Sequence, residues 1–436
     1  MIEVWVVLCV VMFGLLFAGV WVGVALGVTG IVIMMIWGGG LPLIGGAVWG
    51  ALHSYGFTAL PGFIFVGEVI LRSGLSSLAF KAIAPLASRL PGKLLQVNIM
   101  LCTMFGAMFG ASAACVAAVG GIVIPELRQR KYKEELILGT ICVAGTLAFM
   151  LPPSSQFVIY GSLVDVSIGA LFAAGIIPGL IMAGSFMFYL WLSVRIDPTI
   201  CPPDDEGENK KVPLKQQLIP LLKLWPLLLI IGCCIVPIYV GLATPTESAG
   251  LGAAAAVIVG LAFGELRVKL LWDCCRDTTR VCAMLFFIIV GASIMSGAVS
   301  QLGMPRQVVQ GIVSLDVSYI WIMAAIYLLY LILGCVFDGI SMQVMTLPFI
   351  FPIIVQLGFD PVWFGVIMCL LVEVGMVTPP VGMNLFIVQA VAGKQTALST
   401  IFRGSAPFLG CCVVVLILLT IFPGLATWLP KALGQY

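Results

Sequence analysis

Charge is scarce in this chain of 436 residues: Asp, Glu, Lys and Arg together make up 9%. Soluble domains carry about 25%, so a water-facing surface cannot be built from this sequence and a soluble enzyme is excluded. Neither sign is in excess, with 21 Lys+Arg against 19 Asp+Glu. A net charge of +2 supplies no basic field for nucleic acid. Histidine occurs once, as His53 between Trp49 and Tyr55, which removes most metalloenzyme chemistry and reads as a structural residue. No His-Glu-x-x-His pattern exists, and Gly38-Gly39-Gly40 lacks the Gly-Lys-Ser/Thr ending of a phosphate-binding loop. An energy source other than ATP on this chain is implied. None of the 14 cysteines forms a C-x-x-C pair, and nearly all sit in apolar runs. They read as small buried hydrophobes rather than as a disulfide or metal framework. The first residues lack the basic stretch of a cleaved signal peptide and read as a retained membrane segment.

What the chain has is apolar length: 61% of its residues are hydrophobic. The reading is an all-α polytopic membrane protein. At about 20 residues per crossing plus loops, the length allows about ten to fourteen membrane segments. Arg89 and Lys93 precede the run 94–127, and Arg128, Arg130, Lys131 and Lys133 follow it. By the positive-inside rule both ends are cytoplasmic. The run amounts to about 50 Å of helix, enough to enter and return, and its middle holds Gly106, Gly110, Ala111 and Ser112. The expectation is a re-entrant hairpin. The run 319–356, flanked by Asp316 and Asp360, is expected to be a second hairpin entered from outside. The basic groups Arg267, Lys269, Arg276 and Arg280 read as a cytoplasmic loop. Residues 2–37 are either one tilted helix or two short ones.

Shifting the first half by 227 residues sets Pro125 on Pro352, Pro152-Pro153 on Pro379-Pro380, Gly23 on Gly250 and Ala111-Ser112 on Asp338-Gly339. Loop charges orient the two copies oppositely. Two inverted repeats with helices broken at matching places point to a secondary transporter. The expected organisation is a first repeat at 1–196, a cytoplasmic linker at 197–217 and a second repeat at 218–436. The broken helices are expected at about 136–164 and 362–392. Each Pro-Pro removes two backbone donors in mid-run. In lipid such a break persists only where the backbone is packed in protein or lines a cavity. Freed carbonyls are hard ligands suited to Na⁺, and half-helix N-termini favour an anionic substrate.

Intramembrane acids are few: Glu68, Glu247, Asp338 and Glu373. Asp338, at the second hairpin's tip, is the first candidate to balance a bound cation, and Glu373, one turn before the second break, is the next. Thr244-Pro245-Thr246-Glu247 is a capping box and marks a helix start. Glu68 is open between a packing role and a functional one.

These stretches resemble a known family. FGAMFGASAACVAAVGGIVIPELRQRKY from Phe105, GTLAFMLPPSSQFVIYG from Gly145, LFAAGIIPG from Leu171, PGFIFVGEVILRSG from Pro61, ATPTESAG from Ala243, GCVFDG from Gly334 and VEVGMVTPPVGMNLF from Val372 are similar to the large membrane subunit of TRAP (tripartite ATP-independent periplasmic) transporters. The resemblance implies a Na⁺-coupled importer of a small organic acid in the bacterial inner membrane, moving by an elevator mechanism. It implies a small four-helix membrane subunit and a periplasmic substrate-binding protein as partners, and no cofactor beyond the coupling Na⁺. Carried over by position, Gly110, Ser112, Gly145, Pro152 and Ser154 form one sodium and substrate region. Gly334, Asp338, Glu373, Thr378, Pro380 and Asn384 form the other, with Na⁺ near Ser112, Pro152, Asp338 and Thr378. The sequence departs from the family at Gly19-Val20-Trp21, where a proline is usual, and at the tip Gly110-Ala111-Ser112-Ala113, where two hydroxyls are usual. A standalone anion transporter of the same superfamily, a channel and, more remotely, an intramembrane enzyme remain as rival readings.

Overall fold

The structure is a computed structural model that describes residues 2–37, 41–201, 219–314, 318–393 and 395–436. Among the described residues every regular element is helical. The expected linker falls outside them from residue 202 onward, as do Gly38 to Gly40, Asp316 and Lys394.

The apolar stretch at the start is two helices, α1 (Ile2–Phe17) and α2 (Val22–Trp37), packed on each other. Gly19, at φ +79°, makes the turn between them. Each has 16 residues, about 24 Å, which falls short of the roughly 30 Å hydrocarbon core. Next come α3 (Leu41–Leu52), α4 (Ala59–Arg72) and α5 (Leu75–Ile83). His53 stacks on Trp49 with ring centroids 5.2 Å apart, the structural role expected of it.

The run 94–127 folds back on itself as α6 (Leu94–Phe109) and α7 (Ser112–Gln129). The Leu94 amide donates to the Tyr132 hydroxyl at 3.4 Å, so both ends of the run lie together. A straight helix would hold those residues about 57 Å apart. Nearer the tip, the Cys115 thiol reaches the Cys102 carbonyl. The first broken segment follows as α8 (Glu134–Ala144), a single turn α9 (Leu147–Met150) and α10 (Ser155–Val164). Then α11 (Ile168–Ile196) closes the first half.

The second half opens with α12 (Trp225–Tyr239) and α13 (Pro245–Phe263). Thr244 and Glu247 form the expected reciprocal capping box at the start of α13. The supposed loop at 267–280 is helix: α14 (Val268–Gln301) runs 34 residues. Positive charge does not end a helix, and no Gly or Pro interrupts 268–290. On α14, Asp277 pairs with the Arg72 guanidinium, which also bonds Glu68 at 3.2 Å. Glu68 is thus neutralised in a part-exposed network tying α4 to α14. Next stand α15 (Met304–Ser314), then a second hairpin of α16 (Tyr319–Gly334) and α17 (Gly339–Gln356). The Tyr330 and Thr346 hydroxyls meet across it at 2.7 Å. The second broken segment is α18 (Pro361–Val377) and α19 (Met383–Ala392), followed by α20 (Leu398–Ile421) and α21 (Gly424–Ala432).

Among the described residues seven helical stretches are long and apolar enough to cross a membrane, or eight if the bent pair α3–α4 is one span. That is fewer than the ten to fourteen expected, because hairpins and breaks cut the apolar runs into shorter pieces. At the offset of 227 the returning hairpin helices start in register. Ser112 and Gly339 both begin a returning hairpin helix, Ala111 and Asp338 both precede it, and Pro125 and Pro352 both lie inside it. Gly23 and Gly250 are packed differently: a Cβ on Gly23 would press into Phe287, while one on Gly250 would meet nothing within 4 Å.

Candidate functional site

Both Pro-Pro dipeptides interrupt their helices where the sequence places them. At the first, Leu151 and Ser154 are extended, and the Pro152-Pro153 bond is cis. Ser154 then caps α10, its hydroxyl accepting from the Phe157 amide at 3.4 Å and donating to the Phe149 carbonyl. At the second, Thr378 is extended, Pro379-Pro380 is cis and Gly382 stands at φ +53°. The Thr378 hydroxyl turns back to the Val374 carbonyl at 2.7 Å. The environments differ. Residues 136–161 are all buried, whereas Pro379, Pro380 and Val381 are exposed. The first break is held by protein, and the second faces outward.

Each hairpin tip is bonded to the break of its own half. The Gly110 carbonyl accepts from the Ser155 amide at 3.2 Å and from the Ser155 hydroxyl. The Cys335 carbonyl accepts from the Val381 amide at 3.1 Å. Gly110 is required twice over: its φ is +58°, and a Cβ there would stand 2.7 Å from the Pro153 carbonyl oxygen. Gly145 packs against Val116 of the first hairpin. Gly334 meets Gly375 backbone to backbone, a Cβ on the first lying 2.7 Å from the Cα of the second.

The halves also cross over. Asn384, fully buried on α19, donates to the Ser112 hydroxyl at 2.7 Å and to the Cys142 carbonyl at 3.3 Å. Its own carbonyl oxygen is buried without a partner. In the other direction Gln343 of the second hairpin donates to the Gln156 carbonyl on α10 at 3.2 Å. Of the first set, Gly110 lies against Pro153 and Ser155, Gly145 against Val116, and Ser112 against Asn384 of the second half. In the second group Gly334 meets Gly375 and its neighbour Cys335 bonds Val381 beside Pro380, while the side chains of Asp338 and Thr378 each bond within their own stretch of helix.

Two acids stand differently from each other. Asp338 caps α17, one carboxylate oxygen accepting from the Ile340 and Ser341 amides at 3.1 Å each. Glu373 is buried with neither oxygen partnered. Its electrostatic neighbours are Cys369 on its own helix and Cys412 on α20. Gly375, two residues on, is the position that faces Gly334, and two residues turn a helix by about 200°. Glu373 therefore points away from the second tip.

Among the described residues no group of three or more His, Cys, Asp and Glu gathers as for a transition metal. The donors at hand are hydroxyls, amide oxygens and main-chain carbonyls, the hard oxygen set that Na⁺ takes, and the unpaired Asn384 carbonyl oxygen beside Ser112 fits such an ion. Helix ends add charge. Neither α7 nor α19 has a side-chain cap at its start, and the Ser112–Asn384 bond brings these two positive ends together. Sequence reasoning missed Gln156, Gln343 and Ser155. Their one local signal was a polar side chain inside an apolar run.

Comparison with known proteins agrees with this architecture. Residues 9–425 match the family described as tripartite ATP-independent periplasmic transporter, DctM component. The C4-dicarboxylate TRAP transporter large permease protein DctM of Pseudomonas aeruginosa is 30% identical over 383 residues, 87% of each chain. The sialic acid TRAP transporter large permease protein SiaM of Vibrio cholerae is 27% identical over 425 residues, 97% of each chain. The isethionate TRAP transporter permease protein DctMQ of Oleidesulfovibrio alaskensis is 30% identical over 94% of this chain and 64% of its own. The solved YdaH transporter of Alcanivorax borkumensis shares the fold, with a TM-score of 0.61 at 12% identity over 86% of this chain and 87% of that one. Two hairpins seated on two broken helices, with a family match over nearly the whole length, lead to one conclusion: the chain belongs to the DctM component family of tripartite ATP-independent periplasmic transporters.

Proposed function

We propose that this chain is the large transmembrane subunit of a sodium-coupled, binding-protein-dependent importer of a small organic acid, working as an elevator in the bacterial inner membrane. The observation that carries this reading is the convergence at Ser112 and Asn384. There the uncapped N-termini of α7 and α19 meet inside the protein. Each such end carries roughly half a positive charge, which favours the carboxylate of an anionic substrate. Beside it lie the unpaired Asn384 amide oxygen and the Ser112 hydroxyl, oxygens of the kind Na⁺ takes. Bound Na⁺ offsets the negative charge of the substrate, so ion and anion load together. In the second group Asp338 supplies the formal charge, with Thr378 beside the second break.

The organisation in which these groups move is two inverted repeats, residues 1–196 and 218–436. The hairpins and broken helices form the moving body. The remaining long helices form a scaffold shared with a small four-helix membrane subunit, while a periplasmic binding protein delivers the substrate. Relatives named for C4-dicarboxylates and for sialic acid support an organic-acid class of substrate. The test is uptake in vesicles carrying the full chain with the proteins encoded beside it. Uptake should follow an imposed Na⁺ gradient and require the binding protein. Uptake that ignores the gradient would refute the coupling.

A further inference from the structure

The two crossover points are built alike and finished differently. Gln156 and Asn384 occupy the same place, the second residue of the helix after each break, since α10 starts at Ser155 and α19 at Met383. Each faces the first residue of the other half's returning hairpin helix. Asn384 bonds Ser112, and the Gln156 side-chain nitrogen lies 2.6 Å from where a Cβ on Gly339 would stand. Positions 112 and 339 are 227 apart, the offset that also pairs the two Pro-Pro breaks, and Gln156 and Asn384 are 228 apart, matched by helix position.

At the first point the amide nitrogen has two partners, Ser112 and Cys142. At the second, Gly339 offers no side chain. The partner comes one turn later on the same face, where Gln343 donates to the Gln156 main-chain carbonyl. That leaves both side-chain atoms of Gln156 and the Oε1 of Gln343 buried and unpaired. Buried polar groups are nearly always paired, so this clasp is half made. Of these three free atoms two are complementary, the Gln156 amide nitrogen and the Gln343 amide oxygen. The surrounding surface is also the more exposed of the two: Val336 at the second tip is 51% exposed, and Val381 at the second break 39%.

We propose that Gln156 and Gln343 are positioning residues for transport: they dock the second hairpin onto α10, and their free amide groups pair as sodium loads. This rests on the sodium-coupled reading above. Asn384 and Ser112 already hold their amide-to-hydroxyl bond, and Gln156 and Gln343 make theirs during loading.

The probe is sodium alone, with amide hydrogen exchange of the full chain in lipid nanodiscs, NaCl against KCl at constant ionic strength. In the wild type Na⁺ should slow exchange at 335–343 and at 110–116. In Gln343→Met the sodium midpoint at 335–343 should rise at least fivefold, while 110–116 keeps its response. The double variant Gln156→Met with Gln343→Met removes both amides at nearly constant volume, leaves no orphaned group and should behave the same way. Wild-type midpoints at 335–343 in both variants would overturn the proposal. Equal loss at 110–116 would also overturn it, since the pair would then serve the fold as a whole. A wild type with no sodium response anywhere would bring down the sodium reading itself, and this proposal with it.

Discussion

The Asn384 side-chain amide donates to the Ser112 hydroxyl at 2.7 Å, although the two residues stand 272 positions apart. One is the second residue of a helix that restarts after a break, and the other is the first residue of a helix leaving a hairpin tip. Their bond joins the two halves of the chain at the point where two uncapped helix ends meet.

Removing either partner should therefore weaken sodium use, and removing both should add little. Ser112→Ala and Asn384→Leu are each expected to raise the sodium half-saturation of uptake about tenfold, about 1.4 kcal/mol. The double variant should match the worse single one, because contacting residues couple by about 0.5–3 kcal/mol. Fully additive effects would show that the two side chains act independently.

Asp338→Asn separates charge from capping. Asn caps helices about as well as Asp, so the bonds to the Ile340 and Ser341 amides survive while the charge is lost. Thermal stability in detergent should stay within about 0.5 kcal/mol, and sodium half-saturation should rise about tenfold. Unchanged sodium dependence would remove Asp338 from the site.

The first break is tested by Pro152→Ala with Pro153→Ala. Alanine restores two backbone donors and the best helix propensity, so α9 and α10 should fuse. Membrane insertion should persist, with uptake reduced at least tenfold. Retained uptake would reduce the break to a kink without a transport role.

Gly334 and Gly375 give a packing test. Gly334→Ala places a methyl 2.7 Å from a backbone atom, an overpacking expected to cost about 1–3 kcal/mol. Gly250→Ala, with open space around it, should be neutral or slightly stabilising. Equal unfolding temperatures for the two variants would contradict the close approach of α16 and α18.

Local chemistry was legible in the sequence. Pro152-Pro153 and Pro379-Pro380 mark their breaks, Gly110 marks the first tip, and Thr244 with Glu247 marks a helix start, because each acts on backbone within a few residues of itself. Arg276 and Arg280 misled, since charge was taken for a loop where an uninterrupted helix former continues as α14. Residues 2–37 divide at Gly19, which needed its backbone angle to be read. Gln156, Gln343 and the direction of Glu373 were out of reach, because partners nearly 200 residues away and the rotation of a helix leave no local pattern.

Because α19 bonds the first hairpin and α10 bonds the second, each half of the polypeptide holds a hairpin of the other. Two fragments, cut within residues 202–218 and made separately, should each insert and yet be inert, regaining uptake only when co-expressed.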